Sequence, residues 1–419
     1  MATVVRGYKT ELDLNNEQRT ACLKHAGCAR FAYNWGLARC QEAYRTTGKS
    51  RSAIDLHKEL NVLKHADFPW MYEVSKCAMQ EALRNLEQAY KNFFRKVKLK
   101  KQGKWKGKLG FPKFKKKSKA IGSFRLTGSI KVFSDAVQLP RLGLLRLHEC
   151  DFIPTDAKVL SATVSEEAGR WFVSIQVEEE QEKPVVTATS AVGVDLGIKT
   201  LATCSDGTIF ENPRALKHAQ KKLRRLERQK SRRKLGSQNR KKTCKKLAKQ
   251  HARVANIRKN AAHKLTTYLC KNHAMVAIED LHVNGMLKNH HLAQAISDSN
   301  FGEIRRQLEY KSCWHGTHLV TIDRWYPSSK TCSDCGWIDA DQDLSDRTFI
   351  CQNCGLVIDR DVNAAINILN EALRCTESSS ETYAHGERSA GSCESTSETP
   401  LGEVGTKGDV WDVSQMSMF

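Results

Sequence analysis

Apolar positions recur along this chain with more than one period, and each period predicts an element. Val4, Tyr8 and Leu12 share one face of a short extended segment, which predicts a first strand. From Asn16 to Tyr44, Leu23, Ala26, Phe31 and Trp35 follow an approximate 3.6-residue period. A second helical stripe of Ala78, Ala82, Leu86, Tyr90, Phe93 and Phe94 runs through Val74 to Val97. The two helical blocks predict one small helical domain. Short runs rich in β-branched and apolar residues follow over 120–180 (SFRL, IKVF, VQLP, LLRL, KVLSATVSEE, WFVSIQVEEE), the last two joined at Ala168-Gly169. They predict a β-rich domain, a small barrel that the first strand rejoins, with Glu178–Ser190 as a linker. Further on, Leu223, Leu226, Leu247, Val254 and Ile257 space a helical hairpin that breaks at LGSQN. Ala274 to Ile278 reads as a buried strand, and Ala364, Ile366, Ile368 and Leu369 as a final helix. From Thr376 the chain is rich in Ser, Thr, Glu and Gly and predicts a disordered tail.

Charge narrows the function. The net charge is +22, yet residues 376–419 carry eight acids and two bases, so the rest of the chain holds +28. Such an excess repels itself and favours a polyanion that neutralises it. Two segments concentrate the charge. In 96–119 lysines are interleaved with Trp105, Phe111 and Phe114, the combination suited to phosphate contact and base stacking. In 217–264 there are about 20 Lys and Arg with almost no acids, which favours a nucleic-acid groove over an ordinary solvated face. The N-terminus lacks the apolar core of a signal peptide, and no run approaches the roughly 18 apolar residues of a membrane span. An intracellular protein is expected, with its fifteen cysteines reduced.

Four of those cysteines form a pattern. Cys332 and Cys335, then Cys351 and Cys354, are two CxxC pairs each followed by Gly (Gly336, Gly355), the spacing of a zinc ribbon. Four thiolates close the coordination sphere, so one structural Zn2+ is expected. Acids form a second constellation. Asp195 sits in an apolar run (Val192, Val194, Leu196, Ile198), where a buried carboxylate is costly unless paired or metal-bound. Glu279 and Asp280 end the strand that starts at Ala274, and Asp359 or Asp361 opens the last helix. Three convergent carboxylates can hold two Mg2+ roughly 3.5–4 Å apart for in-line attack on a phosphodiester. Lys76 and Gln80 lie at i, i+4 on the second helix, where Gln can pair with adenine and Lys can reach guanine.

The segments GVDLGIKTLAT, AIEDLHVNGM, WYPSSKTCSDCG with CQNCG, and DRDVNAAINI, in this order, resemble the TnpB (OrfB) proteins of insertion sequences, relatives of the smallest type V CRISPR effectors. GCARFAYNWGLA, LEQAYKNFFRKVK and GFPKFKKK match as well, so the resemblance spans about residues 1–375. It implies a ribonuclease-H-like (RuvC) nuclease domain over 190–328 and 358–375, interrupted by the ribbon at 329–357. A β-barrel (wedge) domain, 1–10 and 119–182, would carry an inserted helical recognition domain, 11–118. The catalytic acids would be Asp195, Glu279 and Asp361. The activity implied is Mg2+-dependent cutting of double-stranded DNA and its unwound strands, directed by a guide RNA next to a short adjacent motif. It also implies a cytoplasmic, nucleoid-associated protein of a prokaryotic cell, with a monomer as the default state. A guided repressor that does not cut, and a transposase of the carboxylate-triad type, are the alternatives.

Overall fold

The computed structural model describes residues 2–117, 122–181, 190–342 and 346–382, which fall into two compact units, one of Ala2–Glu180 and one beginning at Gln181. The first unit combines helices with an antiparallel sheet. Strand β1 (Ala2–Asp13) leads into α1 (Asn16–Thr47), α2 (Ala53–Ala66), a 3-10 turn (Pro69–Glu73) and α3 (Lys76–Lys101). Asn15 and Ser52 start α1 and α2 with reciprocal capping boxes, and Gly48 stops α1 in the left-handed conformation. Strands β2 (Ser123–Leu126), β3 (Lys131–Val132), β4 (Ala136–Leu139), β5 (Gly143–Leu147), β6 (Lys158–Glu167) and β7 (Arg170–Gln181) complete the unit. The sheet order is β2-β6-β7-β1-β5-β4-β3, so β1 lies between β7 and β5. Among the described residues no ladder joins β2 to β3, the two ends of this order.

Several boundaries differ from expectation for physical reasons. Strand β1 continues to Asp13 because Leu12 and Asp13 pair with Leu147 and Arg146. Helix α2 and the 3-10 turn were not anticipated; Leu56, Leu60 and Met71 bury against α1 and α3 too sparsely in sequence to mark a period. Leu23 and Phe94, placed on apolar stripes, are exposed. The basic stretch from Lys96 begins inside α3, which ends only at Lys101.

The second unit is built on a five-stranded sheet of order β10-β9-β8-β11-β12. Its strands are β8 (Ala191–Asp195), β9 (Thr200–Cys204), β10 (Ile209–Glu211), β11 (Met275–Glu279) and β12 (His318–Ile322). β8, β9 and β10 are antiparallel neighbours, whereas β11 runs parallel to both β8 and β12. Between β10 and β11 lie α4 (Ala215–Arg232) and α5 (Gln238–Asn272); α6 (Val283–Met286), α7 (Ala293–Ser299) and α8 (Phe301–His315) precede β12. Val192, Val194, Val276 and Ile278 face α5 and α8 through Leu265, Leu269, Ile304 and Leu308. On the opposite face Ala277 and Ile322 meet Ile368 and Ala372 of the last helix, α9 (Arg360–Thr382). Central strands covered on both faces explain the unbroken apolar runs of the sequence. Strands β13 (Thr348–Ile350) and β14 (Val357–Asp359) form a separate two-stranded ribbon before α9.

Helix α9 continues to Thr382, so the tail expected from Thr376 is helical in its first residues; the remainder of that expectation, 383–419, lies outside the described residues. So does 182–189, within the expected linker. Among the described residues no helix is long and apolar enough to cross a membrane.

Candidate active site and metal centre

The register of β8 and β11 sets the site. Val194 pairs with Ile278 and Gly193 with Ala277, so Asp195 and Glu279 end adjacent parallel strands side by side. Side chains two apart share a face of a strand. Asp195 therefore points the same way as Gly193, toward α9. A Cβ on Gly193 would stand 2.0 Å from the Ala365 carbonyl oxygen and 2.7 Å from the Leu369 nitrogen, so only glycine lets α9 lie this close. Asp361 is one helical turn before Ala365, about 6 Å along the helix, while Asp195 is two residues from Gly193, about 6.6 Å along the strand. The spacings from this contact to Asp361 and to Asp195 therefore match, and the two carboxylates act on each other electrostatically.

The electrostatics agree with this convergence. Burial pushes the Asp195 carboxyl up to about 7, helped by the negative charges of Glu279, Asp361 and Asp359 and opposed by Arg360. Burial also raises Glu279, against a hydrogen bond from the Ser328 hydroxyl that lowers it.

The acids next to these two have other work. Asp280 is ion-paired with Arg305 and Arg324, which hold its carboxyl below the usual range. Asp359 accepts the Asp361 and Val362 amide protons at 2.9 and 3.2 Å and so caps α9. Asp359 thus starts the helix; both Asp359 and Asp361 act electrostatically on Asp195, Asp361 the more strongly.

Asn363 and Asn367, fully buried on α9, bind it to the segment entering the ribbon. Asn363 donates to the Thr331 carbonyl (2.7 Å) and accepts from the Ser333 amide (2.9 Å), and Asn367 donates to the Ser328 carbonyl (2.8 Å). Ser328 in turn holds Glu279. None of Gly193, Ser328, Asn363 and Asn367 was singled out from the sequence. A glycine between two buried valines and asparagines inside an apolar helix were the available signals.

In the ribbon the Cys332, Cys335, Cys351 and Cys354 sulfurs all lie within 4.8 Å of one another. The Cys332–Cys354 and Cys335–Cys351 separations are 3.6 and 3.5 Å, close to the roughly 3.8 Å edge of a tetrahedron with 2.3 Å metal–sulfur bonds. Each knuckle closes the same way: Gly336 and Gly355, both at positive φ, donate to the carbonyls of Cys332 and Cys351 at 3.0 Å. The Asn353 amide and the Trp337 backbone pull the Cys335 thiol down to about 6, favouring the thiolate that a metal requires. Among the described residues this is the one group of three or more potential ligands so tightly gathered; Asp195, Glu279 and Asp361 do not form such a group.

Of the remaining candidates, Lys76 is the exposed first residue of α3 and Gln80 lies one turn on, half-buried. The start of α3 is fixed by the buried His25, which accepts the Ser75 amide proton at 3.0 Å. The basic hairpin is confirmed as α4 and α5, packed through Ala219, Leu223, Leu226, Leu247 and Val254. Not all its arginines are available to a ligand. Arg240 donates to the Lys230 and Arg233 carbonyls and Arg233 to Asn239 and Thr243, which locks the turn. Asp298, from α7, caps α4 by accepting from Leu216 and Lys217 while pairing with Arg258 at 2.8 Å.

Fold and site together define a mixed α/β protein with a four-cysteine cluster inserted between its carboxylate-bearing segments. A family model described as "Probable transposase" matches residues 174–290, one for the "Cas12f1-like, TNB domain" matches 301–368, and one for a "Helix-turn-helix domain" matches 1–49. In the last of these the structure has a strand and a single long helix. A Streptomyces pristinaespiralis protein named as an RNA-guided DNA endonuclease is 37% identical over 381 residues, 89% of this chain and 90% of its own. The InsQ protein of Escherichia coli K12, similarly named, is 35% identical over 89% of this chain and 94% of its own. A cryo-EM structure of a Cas12f1–sgRNA–target DNA complex superposes with a TM-score of 0.53 at 12% identity, covering 88% of this chain and 99% of that one, a likeness of fold. The chain belongs to the TnpB (OrfB) family of transposon-encoded proteins, related to the miniature type V CRISPR effectors.

Proposed function

We propose that this chain is an RNA-guided DNA endonuclease whose second unit is a ribonuclease-H-like (RuvC) nuclease domain carrying an inserted zinc ribbon. The observation that carries the reading is the convergence of Asp195, Glu279 and Asp361 at the ends of two adjacent parallel strands and the start of α9. Mixed strand directions, with β10-β9-β8 antiparallel and β8-β11-β12 parallel, support the ribonuclease-H-like assignment. In the first unit we assign the sheet to the wedge domain and α1–α3 to the recognition domain.

Oxygen-only donors suit a hard cation, so Asp195, Glu279 and Asp361 would hold two Mg2+. Bound there, the ions would supply an activated water and stabilise the leaving 3′ oxygen. The protein's part is to hold the three carboxylates: Ser328 orients Glu279, the Gly193 contact sets the height of α9, and Asp359 fixes its first turn. The raised Asp195 carboxyl marks a site short of positive charge that a cation would relieve. Four gathered thiols suit one structural Zn2+ in the ribbon.

Partners follow from charge and kinship. Between Ala215 and Asn272 the chain has one acid, Glu227, among some twenty bases, a surface fit for the phosphates of a guide RNA or its DNA target. Lys76 and Gln80 stand ready to read the adjacent motif.

The test is cleavage of a plasmid library with randomised flanks by protein purified with RNA from its own locus, with and without Mg2+. Cutting that requires Mg2+ and a matching guide supports the reading, and Gln80→Ala should then shift the enriched motif. Guided binding without cutting would replace the reading with a repressor; joined strands in place of free ends would replace it with a transposase.

A further inference from the structure

One side chain beside the acids is displayed with no partner within the fold. Trp325 is 83% exposed, a value shared among the described large apolar residues only by Leu235 at the hairpin turn. Its surroundings are rigid. The Asp323 carboxylate accepts the Trp325 amide proton at 2.7 Å, and the Asp323 carbonyl accepts that of Tyr326 at 3.2 Å. Arg324, the preceding residue, is paired with Asp280 at the end of β11, and Tyr326, the following one, packs with Ile322, Ile368 and Ala372. Ser328 binds Glu279 and is itself held by Asn367. The backbone is therefore pinned on both sides of an indole that points away from the core.

Chain length limits how far Trp325 can lie from the acids, because Ser328 is bonded to Glu279. Trp325 is three residues from Ser328, at most about 11 Å of extended chain. That is a reach of one to two nucleotides from a phosphodiester held at Glu279. An exposed aromatic face on a held backbone suits the face of an unpaired base, which stacks with little regard to sequence. We infer that Trp325 is a stacking platform for an unpaired base of the strand whose phosphodiester enters the acid site. The inference rests on the nuclease reading for its substrate, but the binding it predicts is measurable without cutting.

The experiment uses the full chain with its guide RNA. In an Asp195→Ala background, 5-iododeoxyuridine is moved one position at a time along the displaced DNA strand and irradiated. Crosslinks to Trp325 at one or two adjacent positions are expected. With Asp195 restored, Trp325→Ala should raise KM for cutting roughly 5- to 150-fold. Guide-RNA affinity, zinc content and kcat should stay unchanged, and Trp325→Phe should retain most of the binding. An abasic nucleotide at the crosslinked position should weaken the native chain to the same degree and leave Trp325→Ala no worse. Crosslinking without cutting by the native complex would keep the platform and remove the nuclease. An unchanged KM in Trp325→Ala, or a loss indifferent to the abasic position, would overturn the platform while leaving the nuclease standing.

Discussion

Gly193→Ala is a one-carbon change whose consequence can be worked from the packing of α9 on β8. The added Cβ would sit 2.0 Å from the Ala365 oxygen, 2.7 Å from the Leu369 nitrogen and 2.9 Å from its Cβ. The first two are helix backbone atoms and a Cβ does not move with the rotamer, so no side-chain rotation relieves the clash. Restoring an ordinary contact of 3.4 Å requires α9 to retreat by about 1.4 Å, in an interior packed as tightly as a crystal. Overpacking of this kind costs about 1–3 kcal/mol. For a domain of this size that lowers Tm by roughly 2–4 °C per kcal/mol. The functional cost is larger, because α9 carries Asp361. A misplacement of about 1 Å at a catalytic group can cost on the order of 10²-fold in rate. The assay is single-turnover cleavage at saturating Mg2+ with guide-loaded protein in excess over target, beside a thermal melt of the same preparation. The expected result is a folded protein with a lowered melting point and a rate reduced about a hundredfold. A Gly193→Ala protein that melts and cuts like the native one would refute the claim that this contact sets the position of Asp361.

Three further outcomes are expected. Removing the ribbon's metal with a strong chelator should release one zinc per chain and open residues 329–357 to trypsin, because the ribbon's own core is little more than Cys332, Phe349 and Cys351. Lys311 is buried with only the Thr266 and Thr267 hydroxyls and the His263 carbonyl around its ammonium, and burial brings its pKa down to about 8. Between about pH 8 and the ordinary lysine value the unfolded chain holds a proton the native one lacks, so stability should rise with pH across that window. Urea unfolding should show the native chain gaining stability across this window relative to Lys311→Met, whose own profile carries only the opposing effect of the buried thiols. Asp298→Ala should remove the cap of α4 and strand Arg258, costing about 2–5 kcal/mol in the same measurement.

Some of this was legible in the sequence and some was not, and the division follows the range of the interactions. The CxxC pairs state their geometry locally, since each knuckle is closed by bonds between residues four apart, Cys332 to Gly336 and Cys351 to Gly355. Strands β8 and β11 were readable because both faces are covered, leaving Asp195 and Glu279 as the charged ends of apolar runs. The separation of Asp359 from Asp361, and of Glu279 from Asp280, was not readable from pattern and spacing, and only the resemblance chose Asp361 and Glu279. That separation depends on which carboxylate an amide or arginine from elsewhere engages: the first turn of α9 for Asp359, Arg305 and Arg324 for Asp280. Gly193 looks like any glycine in a strand until α9, more than 160 residues later, lies across it. Helix α2 was missed because its stripe is short, and Leu23 and Phe94 were misplaced because periodicity marks a face without saying where its edges meet water.

The central claim is that Asp195, Glu279 and Asp361, and not the acids beside them, carry the chemistry. The direct test compares Mg2+-dependent cleavage by Asp195→Ala, Glu279→Gln and Asp361→Asn with that by Asp359→Asn, whose amide oxygen can still cap α9. The account predicts that each of the first three falls at least about a thousandfold while Asp359→Asn stays within several-fold of the native rate. Cutting that survives loss of any one of the three, or an Asp359→Asn protein as inactive as Asp361→Asn, would contradict it.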